Sequence, residues 1–522
     1  MEGKIEACAR NRYFNIFNIS FCIACFFIAL LTGILITQSG TGISPDSTNY
    51  IQAGENIYSG NGFYIDYPPI LSPLTSWPPL YPILIAAFMH MHLTAEDAAR
   101  MIPILSFALS MFPIFFLGRL IGGNFTAYIA CLISLVFTPL LMVTSFAWTE
   151  MMYIFLSLMA ILALTIFSNT NKIFMLYASG IFTGLAFLTR YIGITLFVAS
   201  LIILILNRDR IKNRPYNILI FSSVSLIPIS IWIFRNILLT RTPFGGRTPS
   251  SPYGILYNID LTIRTILKDF FTVILPKQDS VYIIAIIIIF CAMIFLSYKN
   301  TFFEYFKKNY ILIIYILIYL IILIVMASVT EFDDISYRLT SPAYPFMLLT
   351  LISFIHINFS QLKKPSIKRG VLLTLMMFFT IMFMIQLNHS VDFYQSARMG
   401  QGYNSLYWRN TMEARDFDLY RMSDNLLSNN TTIYTNDVHA IEFWLKRPGR
   451  ELPNKNNDKA KNNFFKKLTS NIDNNTYIIY LNTSMKSTIS YEEIIKMNKT
   501  YNALTVVYNS PSATIFKPKL PD

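Results

Sequence analysis

Two carboxylates and four arginines stand where this chain could assemble a charged centre. Asp46 lies in SPDSTNYIQAGENIYS, and Glu150 lies in SFAWTEMMY. Arg190 (GLAFLTRYIG), Arg235 (IWIFRNILLT), Arg247 (PFGGRTPSS) and Arg338 (ISYRLTSPAYP) interrupt or border apolar runs. A partly buried carboxylate at a surface is suited to take a proton from a hydroxyl. A second carboxylate facing it could hold that hydroxyl or a cation. Guanidinium groups bind phosphate through paired hydrogen bonds, so converging arginines suit a phosphate or diphosphate. Gly245 and Gly246, beside Arg247, would let the backbone approach such a ligand closely. Each residue also has a plainer use. An acid in the first turn of a helix satisfies free N–H groups and the dipole. An arginine near the end of a membrane span can reach lipid headgroups, although one inside a membrane without a partner is costly.

Topology decides whether these residues can meet. The chain has 522 residues, is 54% hydrophobic and only 14% charged. With a mean hydropathy of +0.47 it is too apolar for a water-soluble protein and reads as a multi-pass membrane protein. A helix needs about 20 mostly apolar residues to cross the hydrocarbon core. Eleven stretches qualify as candidate spans: 14–37, 100–121, 125–146, 151–168, 173–189, 191–206, 216–239, 280–298, 310–329, 339–359 and 370–388. The first run exceeds the core of a signal peptide and is expected to remain as an anchor.

Between Gln38 and Ala99 there are five carboxylates and no Lys or Arg, in a chain with 42 basic residues. Cytoplasmic loops retain Lys and Arg, so this stretch is expected to face outward. Eleven crossings from a cytoplasmic N-terminus also put the basic loops 207–214, 298–308 and 361–369 inside. All six charged candidates then fall on the outward side. The loop 240–279 breaks the bias: six basic residues run from Arg235 to Lys277. That departure calls for an outward partner that wants positive charge.

Within the first loop, Ser44 as cap, Pro45 at the first helical position and Asp46 in the first turn mark a helix start. Tyr50, Ala53, Gly54 and Ile57 would share one face. SWPPLYPILIAAFMHMHL reads as a short helix lying in the interface, with Trp77 and Tyr81 at headgroup depth. From about residue 390 the apolar periodicity ends. TTIYT and NNTYIIYLN read as strands, YEEIIKMNK as a helix, TVVYNSPSATIFKP as a closing hairpin and LPNKNNDKAKNNFFKK as a charged loop. Residues 390–522 are therefore expected to form a small soluble α/β domain after a membrane domain of residues 1–389. Cys8, Cys22, Cys25, Cys131 and Cys291 all lie in spans or the first tail, which leaves no disulfide for the outward segments. One C-x-x-C spacing occurs, Cys22 and Cys25 inside the first apolar run, with no second pair and no H-x-x-x-H to complete a zinc site; the net charge of +13 traces largely to topogenic loops and the C-terminal region, which makes nucleic acid a poor partner.

PDSTNYIQAGENIYSGNGF, WPPLYPILIA, WTEMMYIFL, GLAFLTRYIGITLF, WIFRNILLTRTPFGGR and YRLTSPAYPFML occur in an order and spacing that resemble one family. It is the polytopic GT-C glycosyltransferases of the protein-mannosyltransferase and lipid A aminoarabinose-transferase type. The resemblance covers roughly residues 10–360; IYTNDVHAIEFWL extends it loosely into the C-terminal domain. It implies an all-α GT-C fold of about eleven transmembrane helices, with interfacial helices in the first loop. It implies an enzyme of the plasma (inner) membrane that moves a sugar from a polyprenyl-phosphate carrier to a lipid, glycan or protein acceptor on the outer face. Asp46 matches the family's catalytic carboxylate, Glu150 an acidic position in the second outward loop, and Arg338 a basic position near the lipid phosphate. Tyr50, Trp77, Tyr81 and Arg190 are then expected around donor and acceptor, and Arg235, Arg247 and Tyr344 around the lipid phosphate. Many members carry Asp-Glu at the first site; here Ser47 follows Asp46, which leaves the base and removes a second local carboxylate. No cofactor is expected, and family members differ in their use of a divalent metal. A polysaccharide polymerase or ligase using a diphosphate-linked glycan is the competing expectation. A transporter fits less well, because no Asp or Glu falls inside the candidate spans.

Overall fold

The computed structural model of the chain describes residues 2–67, 71–207, 212–246, 253–271, 299–330, 333–360, 365–406, 408–409, 431–470, 475–482, 488–510 and 513–519. Among them, six helices are long and apolar enough to cross a membrane, and three shorter apolar helices accompany them. The expected span 280–298 lies outside the described residues, so a count of eleven is not established.

Helix α1 (Glu2–Ile36) leads into the first loop, where α2 (Pro45–Tyr58) and α3 (Leu80–Met89) form. These two pack closely because Gly54 has no side chain: a Cβ there would lie 2.5 Å from Ile85. Between them a two-residue antiparallel pair, β1 (Tyr64–Ile65) with β2 (Ser72–Pro73), closes the loop.

Helix α4 (Ala95–Val136) is hydrogen-bonded as one unit of 42 residues, yet Gly123 inside it has φ 80° and ψ −172°. Only glycine adopts that conformation without strain. The chain reverses there. A Cβ on Gly118 would lie 2.8 Å from the Ala127 Cα, and the Cys131 thiol donates to the Met111 carbonyl. The expected spans 100–121 and 125–146 are thus two arms of a hairpin, the second continuing past Phe137 into α5 (Thr138–Ser145).

After α6 (Glu150–Thr170), helices α7 (Ile173–Thr189) and α8 (Ile194–Leu206) run antiparallel. Their turn is an extended Arg190 followed by a 3-10 segment, Tyr191–Gly193. At the opposite end the Lys212 amide donates to Asn171 Oδ1 at 3.2 Å, which places the start of α7 beside the end of α8. With 17 and 13 residues, both are shorter than a straight crossing needs. Helix α9 (Arg214–Thr240) returns alongside α7, close against Gly180 and Gly184. An amphipathic helix α10 (Ile255–Phe271) and the long helices Lys299–Val329, Tyr344–Ser360 and Pro365–Ala397 complete the bundle.

The C-terminal region holds a five-stranded sheet in the order β4 (Gly449–Glu451), β3 (Thr432–Thr435), β5 (Thr476–Leu481), β7 (Ala513–Pro518), β6 (Leu504–Asn509). The first three strands are parallel and the last two form the expected antiparallel hairpin. The helix expected over YEEIIKMNK is Tyr491–Tyr501, closed by a capping box between Ser490 and Glu493. One expectation fails: within LPNKNNDKAKNNFFKK, residues Asp458–Ser470 are helical. Asn457 caps the Ala460 amide, Lys461 bridges Asp458 and Glu493, and Phe465 and Leu468 bury one face. Tertiary packing there overrides the loop-like composition.

The domain is seated on the first loop. Gln52 of α2 donates to Glu442 at 3.1 Å, Lys446 approaches Glu55 at 3.4 Å, and Tyr403 donates to Asp437 at 2.9 Å. Glu442 and Lys446 belong to the end of the helix Val438–Leu445.

Candidate active site

Asp46 is positioned by its local sequence. Ser44 has extended backbone, and its hydroxyl accepts from the Ser47 amide and from Trp148 Nε1 (2.8 Å). Pro45 supplies a preset φ at the first helical position. The residues just before are held on both sides: Gly42 pairs with Phe146, and Ile43 pairs with Gly402. Gly402 has φ +58°, and a Cβ there would stand 1.9 Å from the Ile43 carbonyl oxygen. Only glycine lets this late segment touch the first loop so closely.

Glu150 begins α6 and is fully buried. Its Oε1 accepts from Arg338 Nε at 2.6 Å and pairs with Arg190, which also donates to Thr149. Arg338 reaches further, its Nη2 lying 2.6 Å from Asp46 Oδ2. Its guanidinium also lies over the Trp148 ring, 4.3 Å from the centroid, and Trp148 stacks on Phe146. The result is an alternating row, Asp46–Arg338–Glu150–Arg190, with two charges of each sign. That balance is what allows four ionised groups at low exposure. Two openings remain: the Asp46 side chain is 30% exposed, and no partner reaches Glu150 Oε2 among the described residues.

Tyr50 sits beneath Asp46, edge-on to Trp77 and Tyr81. Burial, followed by the Asp46 and Glu150 charges, pushes its phenol well above the usual tyrosine range. Tyr81 is fully buried and donates to the Ala99 carbonyl at 2.8 Å, so its hydroxyl is engaged inside the protein. Trp77 is half-buried and borders a cavity shared with Asp46.

The other candidates go elsewhere. Arg235 donates to the Leu74 and Phe63 carbonyls and lies over the Trp232 ring, tying the first loop to α9. Tyr344 is fully buried, its hydroxyl shared by Asp269 and Thr340. Arg247 lies outside the described residues. Sequence reasoning missed Trp148, whose place two residues before Glu150 was a usable signal, and Asp269. Nothing in α10 sets Asp269 apart from Asp260, yet burial pushes its carboxyl up to about 6, against the opposing hydrogen bond from Tyr344.

The family model for dolichyl-phosphate-mannose-protein mannosyltransferase matches residues 76–234, a stretch that holds Glu150 and Arg190 but neither Asp46 nor Arg338. No curated protein sequence matches the chain. Among solved structures, the fold is similar to ArnT from Cupriavidus metallidurans in the apo state, with a TM-score of 0.62 and 11% identity over 97% of this chain and 98% of that one. It is also similar to the archaeal oligosaccharyltransferase AglB from Archaeoglobus fulgidus (TM-score 0.55, 13% identity, 90% of this chain and 70% of that one). Arabinofuranosyltransferase AftD from Mycobacteria gives a TM-score of 0.59 at 12% identity, over 96% of this chain and 40% of that one. The chain therefore has the GT-C fold of membrane glycosyltransferases.

Proposed function

We propose that this protein is a multi-pass membrane glycosyltransferase. It moves a sugar from a polyprenyl-phosphate carrier to an acceptor hydroxyl, with inversion, on the extracytoplasmic face of the plasma membrane. The observation that carries this reading is the position of Arg338, held between a partly exposed Asp46 and a buried Glu150 with Arg190 alongside. A likeness supports it: one structure of the Cupriavidus metallidurans ArnT is bound to undecaprenyl phosphate, and one of the Archaeoglobus fulgidus AglB is in complex with a dolichol-phosphate.

The chemistry follows from the row of charges. An arriving phosphodiester competes for Arg338, and Asp46 gives up its hold on the guanidinium. The acceptor oxygen then attacks the anomeric carbon on the face opposite the phosphate, through an oxocarbenium-like transition state. Its proton passes to the freed Asp46 carboxylate. As the new C–O bond forms, the bond to the phosphate oxygen breaks, and the negative charge that collects there meets Arg338 and Arg190. Phosphate leaves without protonation, so no general acid is needed. Glu150 keeps both arginines in place.

The test is sugar transfer from undecaprenyl-phosphate-linked donors by the full chain in lipid nanodiscs. Asp46→Asn should lower turnover by about 10²–10⁴-fold, the usual contribution of a general base, while the protein stays folded by circular dichroism at the assay temperature. Turnover at the parent rate in that variant would remove Asp46 as the base.

A further inference from the structure

The side of Asp46 away from Arg338 faces a cavity of about 460 Å3 whose far wall belongs to the C-terminal domain. That volume falls within the range of small-molecule sites, roughly 300–1,000 Å3. On the first-loop side it is bordered by Asp46, Asn49, Asp66 and Trp77, and across from them by His439, Glu442 and Arg450. We propose that this cavity is the acceptor subsite, and that it takes a neutral or cationic sugar unit presented from the aqueous side. The proposal rests on the glycosyl-transfer reading and adds the class of acceptor.

The unmet hydrogen bonding of the walls argues for a ligand rich in donors. Asn49 is 5% exposed; its amide nitrogen donates to the Pro45 carbonyl, and no donor reaches its Oδ1 among the described residues. Glu442 is 3% exposed; Gln52 donates to its Oε2, and no donor reaches Oε1. His439 does not fill the gap, since its Nδ1 stands 3.5 Å from Glu442 Oε2 without making a hydrogen bond. Asp46, Asn49 and Glu442 all line this one space, so water meets their acceptors until a ligand's donors displace it. Adjacent hydroxyls on a sugar ring would satisfy them, and the half-buried Trp77 offers an aromatic surface for the ring's C–H face.

A second observation is independent of charge. Asp66 holds a left-handed backbone, φ 66°, which Asp, like Asn, adopts more readily than other side chains. Two buried amides fix it there: Gln52 Oε1 accepts from the Asp66 N–H, and Asn56 Nδ2 donates to the Asp66 carbonyl. The Gln52 side chain that fixes Asp66 is the one that donates to Glu442, so a single residue sets both walls.

Charge then selects among sugars. Asp46 is paired with Arg338, which leaves Asp66 and Glu442 facing the cavity against Arg450, an excess of one negative charge. An anionic acceptor would be repelled.

Three trisaccharides of similar size test this on the full chain in nanodiscs, with binding followed by saturation-transfer NMR: maltotriose (neutral), chitosan trisaccharide (cationic) and trigalacturonate (anionic). Maltotriose and the chitosan trisaccharide should bind, with trigalacturonate about tenfold weaker at moderate salt. Glu442→Gln should narrow that gap, and Asn49→Leu should weaken binding of all three. Arg450→Ala changes an exposed side chain on the edge strand β4 and leaves the fold intact; it should widen the gap. Equal or tighter binding of trigalacturonate, no binding of any sugar, or indifference to all three substitutions would overturn the proposal. Failure of the transfer reading looks different: it is full turnover in Asp46→Asn, whatever the trisaccharides do.

Discussion

Glu150 is the member of the charged row that can least do without its partners. Fully buried, it meets two guanidinium groups on one oxygen. Arg190→Ala removes one of them and should destabilise the protein by about 1.5–3 kcal/mol, the range for a hydrogen bond to a charged group, read as a lower unfolding temperature in nanodiscs. Arg190→Lys should restore part of the loss, because it returns the charge without the planar fork. Asp269 gives the opposite sign. Its carboxyl is raised from the ordinary range to about 6, so the folded state favours the protonated form. Stability from this group is full below pH ~4 and is lost as pH rises through ~6. Asp269→Asn should therefore raise the unfolding temperature at pH 7.5, with the gain vanishing near pH 4. Asp46 could be recognised in the sequence because cap, proline and acid stand together at one helix start. Asp269 could not, because its partner Tyr344 lies 75 residues further along the chain and meets it only after folding.

Helix α2 and four strands of the C-terminal sheet follow local rules, and periodicity or caps announce them; the three-residue edge strand β4 carries no such signal. The helix Asp458–Ser470 does not, since its apolar face is only Phe464, Phe465 and Leu468 in a run of Asn and Lys. The reversal at Gly123 was readable as a gap between two spans, although hydrogen bonding joins its arms. What no pattern revealed is the contact of residues 400–403 with residue 43, a pairing across more than three hundred residues of sequence. Gly402→Ala tests its weight. The new Cβ would meet the Ile43 carbonyl oxygen in a left-handed backbone, so the segment must lift away. A cost of about 1–3 kcal/mol is expected, together with reduced sugar transfer, because Ile43 lies three residues before Asp46. Unchanged transfer would mean that α2 holds its place without this support.

The molecule gathers its first loop, the Arg190 turn, Arg338 and the C-terminal domain at one end of the helix bundle, while Asn171 and Lys212 mark the other. We propose, from the scarcity of basic residues in 38–99 and their abundance in 207–214, that these ends lie on opposite sides of the membrane, the first outward. A reporter enzyme fused after Asn388 should accordingly be active only outside the cytoplasm; activity inside would reverse the assignment. The GT-C architecture could be read from the order of the motifs, whereas the shared cavity required the C-terminal domain to be set in place. That dependence has a consequence for biosynthesis. The ribosome must release some four hundred residues before Gly402 can reach Ile43. A chain that stalls or is clipped earlier would carry every acid and arginine of the row without the segment that backs Ile43.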